Sequence, residues 1–457
     1  MSRNIRSLAD LADSGYTAVP AKECLAGIVR RKVLAGEELF TDIFGIETQK
    51  RRFVEVLAAG RGALLTGEFG VAKTDLAGHI LDLLNQFYSS RELFAVEQCP
   101  VQEDPETLLR FISRTGGASE PCPVCRHAIA QSGGDLSRIS VRRLGRLVEG
   151  TGFARVRGGG EVMPEEIIGT YNLLKPAQPG DPFAPRVFRP GKIGQSSRGL
   201  LFVDEIGKLP ETAQNALIQA SQESIVTPAK SRETFPVDFL LVATTNPLDE
   251  EHICGAVRDR MVSIEIPLAG LEDELRIVRR EVEKCRPQVY IPRVFLKLAV
   301  EVVRAMRRDD RLEAGPRTSI TAGLAARSSA LLEGRCVASL CNVKEGIYTA
   351  VLGKAVFEGK QDIRSRLDEI FPDCASYIER EIGGVSLPGI LQSCRDGSSG
   401  WSGAALQRQV TGPGEKSALQ DFARWTYAHE SIHRYRMYEV MAAYLEAYER
   451  GCPTGDL

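Results

Sequence analysis

At 457 residues, with 43% hydrophobic and 26% charged side chains, the chain has an ordinary globular composition and room for about three domains. A formal net charge of −2 gives no global excess of positive charge to point to a nucleic-acid partner, and no apolar run reaches membrane-spanning length. With no signal peptide at Met1-Ser2-Arg3-Asn4 and no lipidation motif, a cytoplasmic location is expected, where eleven cysteines read as reduced thiols or metal ligands and not as a disulfide framework.

Residues 1–36 read as a helical lead-in, with Ile28-Val29-Arg30-Arg31-Lys32 on an amphipathic turn. An apolar run, Ala63-Leu64-Leu65, then meets Gly67-Glu68-Phe69-Gly70-Val71-Ala72-Lys73-Thr74, and a helical pattern runs from Asp75 to Phe87. A strand ending in a Gly-rich turn that opens a helix aims backbone N–H groups and the positive end of the helix dipole at one point, where a polyphosphate can sit. Lys73 would reach the outer phosphates of ATP, and Thr74 would hold Mg²⁺ through its hydroxyl. Ala72 stands where the usual pattern has glycine; its methyl group crowds the loop but leaves the N–H donors and the lysine in place. Taken alone, this stretch could still be a chance turn before an ordinary helix.

From Thr74 to Asp204 the chain runs 130 residues, so the core is expected to carry insertions at about 99–198. Within them lie Cys99-Pro100 and Cys122-Pro123-Val124-Cys125-Arg126-His127. Cys-x-x-Cys on a tight turn is half of a tetrahedral zinc site, which Cys99 or His127 would complete. The alternative is a pair of reduced thiols in a Pro-rich turn; a redox pair would need a thioredoxin-like strand and helix, which are not evident. Arg155-Val156-Arg157-Gly158-Gly159-Gly160-Glu161 and Pro176-Ala177-Gln178-Pro179-Gly180-Asp181-Pro182 hold too much Gly and Pro for core. Both are expected as mobile loops facing a pore or partner.

Gly199-Leu200-Leu201-Phe202-Val203-Asp204-Glu205 is an apolar run ending in two carboxylates, as suits a buried parallel strand whose C-terminal edge meets the ligand. Asp204 is placed by this reading in the outer coordination of the magnesium, and Glu205 beside the attacking water. A third strand, Phe239-Leu240-Leu241-Val242-Ala243-Thr244-Thr245-Asn246, ends in an amide that could hold the same water. Three such strands in this order favour nucleotide hydrolysis over simple binding. A basic hairpin, Pro228-Ala229-Lys230-Ser231-Arg232-Glu233, is a further partner-facing candidate. From Leu271 to Glu358 a 3.6-residue apolar pattern predicts a helical lid. The remainder, 359–457, reads as helical with a flexible loop near 396–415.

These motifs resemble the AAA+ ATPases, and more narrowly the branch holding the MoxR-type ATPases and the magnesium-chelatase ATPase subunit, over residues 37–355. The loop and the acidic strand stand for that family's Walker A and Walker B. Gly-x-x-Gly-x-Ala-Lys-Thr is similar to the MoxR form, which makes Ala72 a family habit. Ile167-Ile168-Gly169-Thr170, Phe188-Arg189-Pro190-Gly191 and Ser197-Arg198-Gly199 resemble the chelatase segment inserted before the second acidic strand. The resemblance implies an α/β core at 37–268, a parallel sheet flanked by helices, followed by the lid at 269–358. It further implies that Ile43 and Phe44 pass the adenine base, that Asn246 is the first sensor, that Arg260 is an arginine finger given to a neighbouring subunit, and that Arg317 is the second sensor. Met261 departs from the aromatic the family usually has after the finger, and Arg258 lies close enough to compete for that role. By resemblance the chain is an ATP-hydrolysing motor, assembled as a ring with a hexamer expected, that remodels a partner of von Willebrand A type. A metal-chelatase motor subunit, an AAA-related serine protein kinase, and a nucleotide-controlled scaffold that hydrolyses nothing stay open, Glu205 arguing against the last.

Overall fold

The computed structural model describes residues 5–68, 72–114, 120–171, 188–229, 231–284, 289, 291, 293–308, 314–333, 338, 340–352, 354 and 360–381. They fall into two compact units that divide between Pro267 and Leu268.

The first unit is built on strands β1 (Ala63–Thr66), β2 (Val148–Glu149), β3 (Gly152–Arg157), β4 (Gly199–Asp204), β5 (Phe239–Thr245) and β6 (Val262–Glu265). They form one sheet in the order β6-β1-β5-β4-β3-β2, every neighbouring pair parallel. Helices Ala21–Leu34, Glu47–Ala58, Lys73–Ser90 and Glu211–Glu223 pack on it. Coverage of that kind is why β1, β4 and β5 are unbroken apolar runs: every residue of β1 and β5 is buried. The register sets Thr66 opposite both Thr245 and Glu265, and Asp204 opposite Arg157. The carboxyl ends of five strands therefore meet along one edge.

The stretch Arg155–Arg157, expected in a mobile loop, is instead part of β3 and pairs with Phe202–Asp204 of β4. Its alternating burial, with Ala154 and Val156 inward, is the period-two signature of a strand, which the glycines that follow obscured. The segment 176–182 lies outside the described residues.

Between β1 and β2 the chain adds a short strand, Phe94–Val96, antiparallel to Val141–Arg143, and helices Pro105–Ser113 and Pro123–Ser132. Asp104 ties this addition to the sheet. One carboxylate oxygen caps the first of these helices by accepting the Glu106 N–H at 2.9 Å; the other accepts the Tyr16 hydroxyl at 3.0 Å and pairs with the buried guanidinium of Arg198, one residue before β4. The basic hairpin is present as Ile225–Val226 paired antiparallel with Phe235–Pro236, though Lys230 lies outside the described residues.

The second unit contains helices Leu271–Lys284, Arg293–Arg307, Pro316–Leu332, Leu340–Val351 and Lys360–Glu381. One apolar cluster joins them, including Phe295, Val302, Ala326 and Ile347, and Ile363, Leu367 and Phe371 from the last helix extend it. The fully buried Glu274 is met by Arg304 at 2.8 Å, Arg307 at 2.9 Å and the Ser319 hydroxyl at 2.6 Å, so its charge is compensated where water cannot reach it. The loop near 396–415 lies outside the described residues. No helix among the described residues is long and apolar enough to cross a membrane.

Candidate nucleotide site

Lys73 opens the helix that follows β1 and is 8% exposed. Its ammonium, with three donors, meets the carbonyl oxygens of Gly67 and Thr245 and, at 2.8 Å, Oδ1 of Asn246. Asn246 follows β5 directly, and its Nδ2 donates to Oε1 of Glu205 at 3.2 Å. Thr244, two residues earlier, accepts the Glu205 N–H at 3.0 Å and donates its own hydroxyl proton to Oδ1 of Asp204 at 2.8 Å. A single hydrogen-bonded line thus runs from Lys73 through Asn246 to Glu205, and from Glu205 through Thr244 to Asp204.

Glu205 sits in the left-handed region, φ 56° and ψ 54°, uncommon for a residue with a side chain and found most often at functional turns. Two further contacts hold it there besides Thr244 and Asn246. Lys208 donates to Oε1 at 2.9 Å, and that bond, ahead of the neighbouring carboxylate charges, holds the Lys208 ammonium above the ordinary lysine range. Gly158, just beyond β3, gives its N–H to the Asp204 carbonyl at 2.7 Å and passes so close that a Cβ there would lie 1.9 Å from the Glu205 carbonyl oxygen. Arg155 completes the site by pairing with Oδ2 of Asp204 at 2.5 Å while its guanidinium lies over the Phe202 ring, 5.4 Å from the centroid.

Of the other expected site residues, Gly67 is buried, Glu68 exposed, and Ala72 and Thr74 half-buried at the helix start; Phe69, Gly70 and Val71 lie outside the described residues. Ile43 is buried and Phe44 half-buried in a segment whose Phe40 ring packs edge-on against His79 of the same helix. Arg258 and Arg260 both lie exposed at the end of helix Gly255–Arg260. Arg258 gives its guanidinium to the Glu250 carbonyl at 2.5 Å, whereas Arg260 makes no such bond among the described residues. Arg317, exposed, is the second residue of helix Pro316–Leu332 in the other unit; burial first, and the Arg317 charge second, hold the Lys354 ammonium below its usual range.

The cysteines also converge, with one correction. Cys99, Cys122 and Cys125 meet in the interior, but their companion is Glu103 and not His127. His127 is two residues past Cys125 on a helix, about 200° around its axis, and is exposed. Sequence reasoning also missed Arg155, Gly158 and Lys208 as parts of the site. Only Lys208, one helical turn beyond Glu205, left a spacing signal; Arg155 and Gly158 arrive from a strand distant in sequence.

A parallel sheet with a lysine-bearing loop after one strand, paired carboxylates after a second and an amide after a third defines a phosphate-loop nucleotide-binding core of AAA+ type. Residues 129–262 match the ATPase family associated with various cellular activities (AAA). The chain is 26% identical to chaperone MoxR1 of Mycobacterium tuberculosis over 305 residues, 58% of this chain and 75% of that one. It is 22% identical to a magnesium-chelatase subunit ChlI homolog of Methanocaldococcus jannaschii over 363 residues, covering 72% and 90% of the two chains. Among solved structures, a complex between subunits BchI and BchD of magnesium chelatase aligns at 19% identity and TM-score 0.34, over 68% of this chain and 94% of that one; at that TM-score it adds no weight. Site and sequence together are similar to those of AAA+ ATPases, with a MoxR chaperone and a magnesium-chelatase subunit homolog among the relatives.

Proposed function

We propose that the chain binds Mg²⁺·ATP and hydrolyses it within a ring of like subunits, coupling the cycle to movement of a partner protein. The observation that carries this reading is the hydrogen-bonded line joining Lys73, Asn246, Glu205, Thr244 and Asp204 at the carboxyl edge of the sheet. The donor set suits the ligand: an ammonium for the outer phosphate oxygens, and the hard oxygens of Thr74 and Asp204 for magnesium. When bound, magnesium supplies charge neutralisation of the phosphate oxygens. Glu205 orients and deprotonates the attacking water, and Asn246, already bonded to Glu205, holds that water in line. Arg260, the less tethered of the two arginines on its helix, stabilises charge developing at a neighbouring subunit's nucleotide, Arg317 acts as the second sensor, and Ile43 and Phe44 contact the base.

In the test, Lys73→Ala abolishes nucleotide binding, whereas Glu205→Gln binds ATP normally but hydrolyses it about 10²-fold or more slowly, because the lysine contacts ground-state phosphates and the glutamate acts on water only as reaction proceeds. Wild-type hydrolysis by Glu205→Gln would remove the assignment. Cleavage with phosphate appearing on protein and not in water would move the reading to a kinase. A chelatase motor is the second reading, favoured by the extent to which the chain spans the chelatase subunit homolog.

A further inference from the structure

The addition between β1 and β2 holds a group of side chains that nucleotide chemistry does not use. Cys99 and Glu103 flank the turn after strand Phe94–Val96, and Cys122 and Cys125 lie at the start of helix Pro123–Ser132. All four are buried, Cys122 and Cys125 fully, and one ligand atom from each lies within 4.8 Å of every other. The Sγ atoms of Cys99 and Cys122 are 3.6 Å apart. Zinc with Zn–S bonds of about 2.3 Å sets tetrahedral sulfurs about 3.8 Å apart, so the group closes on an ion with shifts of about an ångström. A disulfide needs an S–S distance of about 2.05 Å and would leave a third thiol and a carboxyl buried beside it.

The backbone is arranged for negative charge at the sulfurs. The Glu103 N–H donates to Sγ of Cys99 at 3.3 Å, and the Cys125 N–H to Sγ of Cys122 at 3.4 Å. The Cys122 N–H fixes the Glu103 carboxylate through Oε2 at 3.0 Å. That leaves Oε1 of Glu103 buried with no hydrogen-bond partner among the described residues, a costly arrangement unless something else satisfies the oxygen. A cation bound by the three sulfurs would.

We propose that Cys99, Glu103, Cys122 and Cys125 form a structural zinc site. Four protein ligands and complete burial close it to substrate, and its net charge of −2 equals that of a four-cysteine site, a common structural type. Both backbone pieces converge on one ion, which fixes the turn to the helix. Glu103 is followed by Asp104, the partner of Arg198, so the zinc holds the addition in register with the start of β4.

The test uses full-length protein purified without chelator, with metal content measured by mass spectrometry and cobalt-substituted protein examined for a thiolate-to-cobalt charge-transfer band. We expect about one zinc per chain and the cobalt band, both lost in Cys122→Ser; in Glu103→Gln, zinc should be at least about tenfold weaker by chelator competition, with His127→Ala unchanged. If Cys122→Ser does not fold, the wild-type cobalt spectrum and Glu103→Gln carry the decision. Folded protein with under about 0.2 zinc per chain and no cobalt band, a Cys99–Cys122 disulfide in unreduced protein, or weakened zinc in His127→Ala would each overturn the site.

Discussion

Arg155 of β3 reaches across to β4 and pairs with Asp204 at 2.5 Å, so the carboxylate assigned to magnesium already faces a cation from its own sheet. The pair is partly exposed, 37% at the arginine and 19% at the aspartate, which limits its strength to roughly 0.5–1 kcal/mol. Replacing Arg155 by Met removes the competing charge while keeping a side chain over Phe202. The Mg²⁺ concentration for half-maximal ATP hydrolysis should then fall about two- to fivefold, as follows from that energy. A magnesium titration of the steady-state rate measures it, and an unchanged or higher midpoint would show that the arginine serves the nucleotide instead.

Gly158→Ala tests how firmly Glu205 is placed. The added methyl carbon would sit 1.9 Å from the Glu205 carbonyl oxygen, and both groups are backbone-anchored, so one strand end must move. A displacement of about an ångström at a group that handles the water costs on the order of a hundredfold in rate. ATP affinity, set mainly by Lys73 and the loop, should change less than about threefold. Equal losses in affinity and rate would instead indicate a collapsed strand, visible as lowered thermal stability.

Arg260→Ala subunits should bind ATP as tightly as wild type and hydrolyse it about 10³-fold more slowly, with Arg260→Lys rescuing only in part because the planar fork of donors is lost. Mixing Arg260→Ala with Lys73→Ala subunits should restore measurable turnover, since each supplies what the other lacks. Arg258→Ala should retain hydrolysis, its guanidinium being engaged by Glu250. A fully active monomer during turnover would exclude the shared site.

Asp104→Ala should be the most damaging single change outside the site. It removes the helix cap, the Tyr16 bond and the partner of a buried guanidinium together, and breaking a buried ion pair alone costs about 3–5 kcal/mol. Tyr16→Phe, which loses its bond to the same carboxylate and the longer one it accepts from the Phe94 N–H at 3.4 Å, should cost about 1–2 kcal/mol. Urea midpoints of the two variants at matched m-values make the comparison.

Sequence patterning located the elements that report on themselves. β1, β4 and β5 are short apolar runs closed by polar residues, and that is how a strand buried on both faces must read. β3 escaped because Gly158, Gly159 and Gly160 look like a loop when the reason for the first of them, the nearness of Glu205, lies in another strand. Glu103 escaped for a related cause: a carboxylate four residues after a cysteine carries no metal signature until folding brings Cys122 and Cys125 beside it. Lys73, Asp204, Glu205 and Asn246 were readable because each follows or ends its own strand or loop. Thr244, quoted within a strand, gave no sign that its hydroxyl would bridge the two acids.

The strand order also dictates when the site can exist. β1 lies between β5 and β6, and its partners are encoded about 180 and 200 residues after it. A nascent chain emerging at about 5–20 residues per second therefore carries the lysine-bearing loop for roughly 10–40 seconds before either flanking strand has been made. Throughout that interval the hydrogen-bonding edges of Ala63–Thr66 have no native strand partner, which leaves this apolar segment in need of shelter during synthesis.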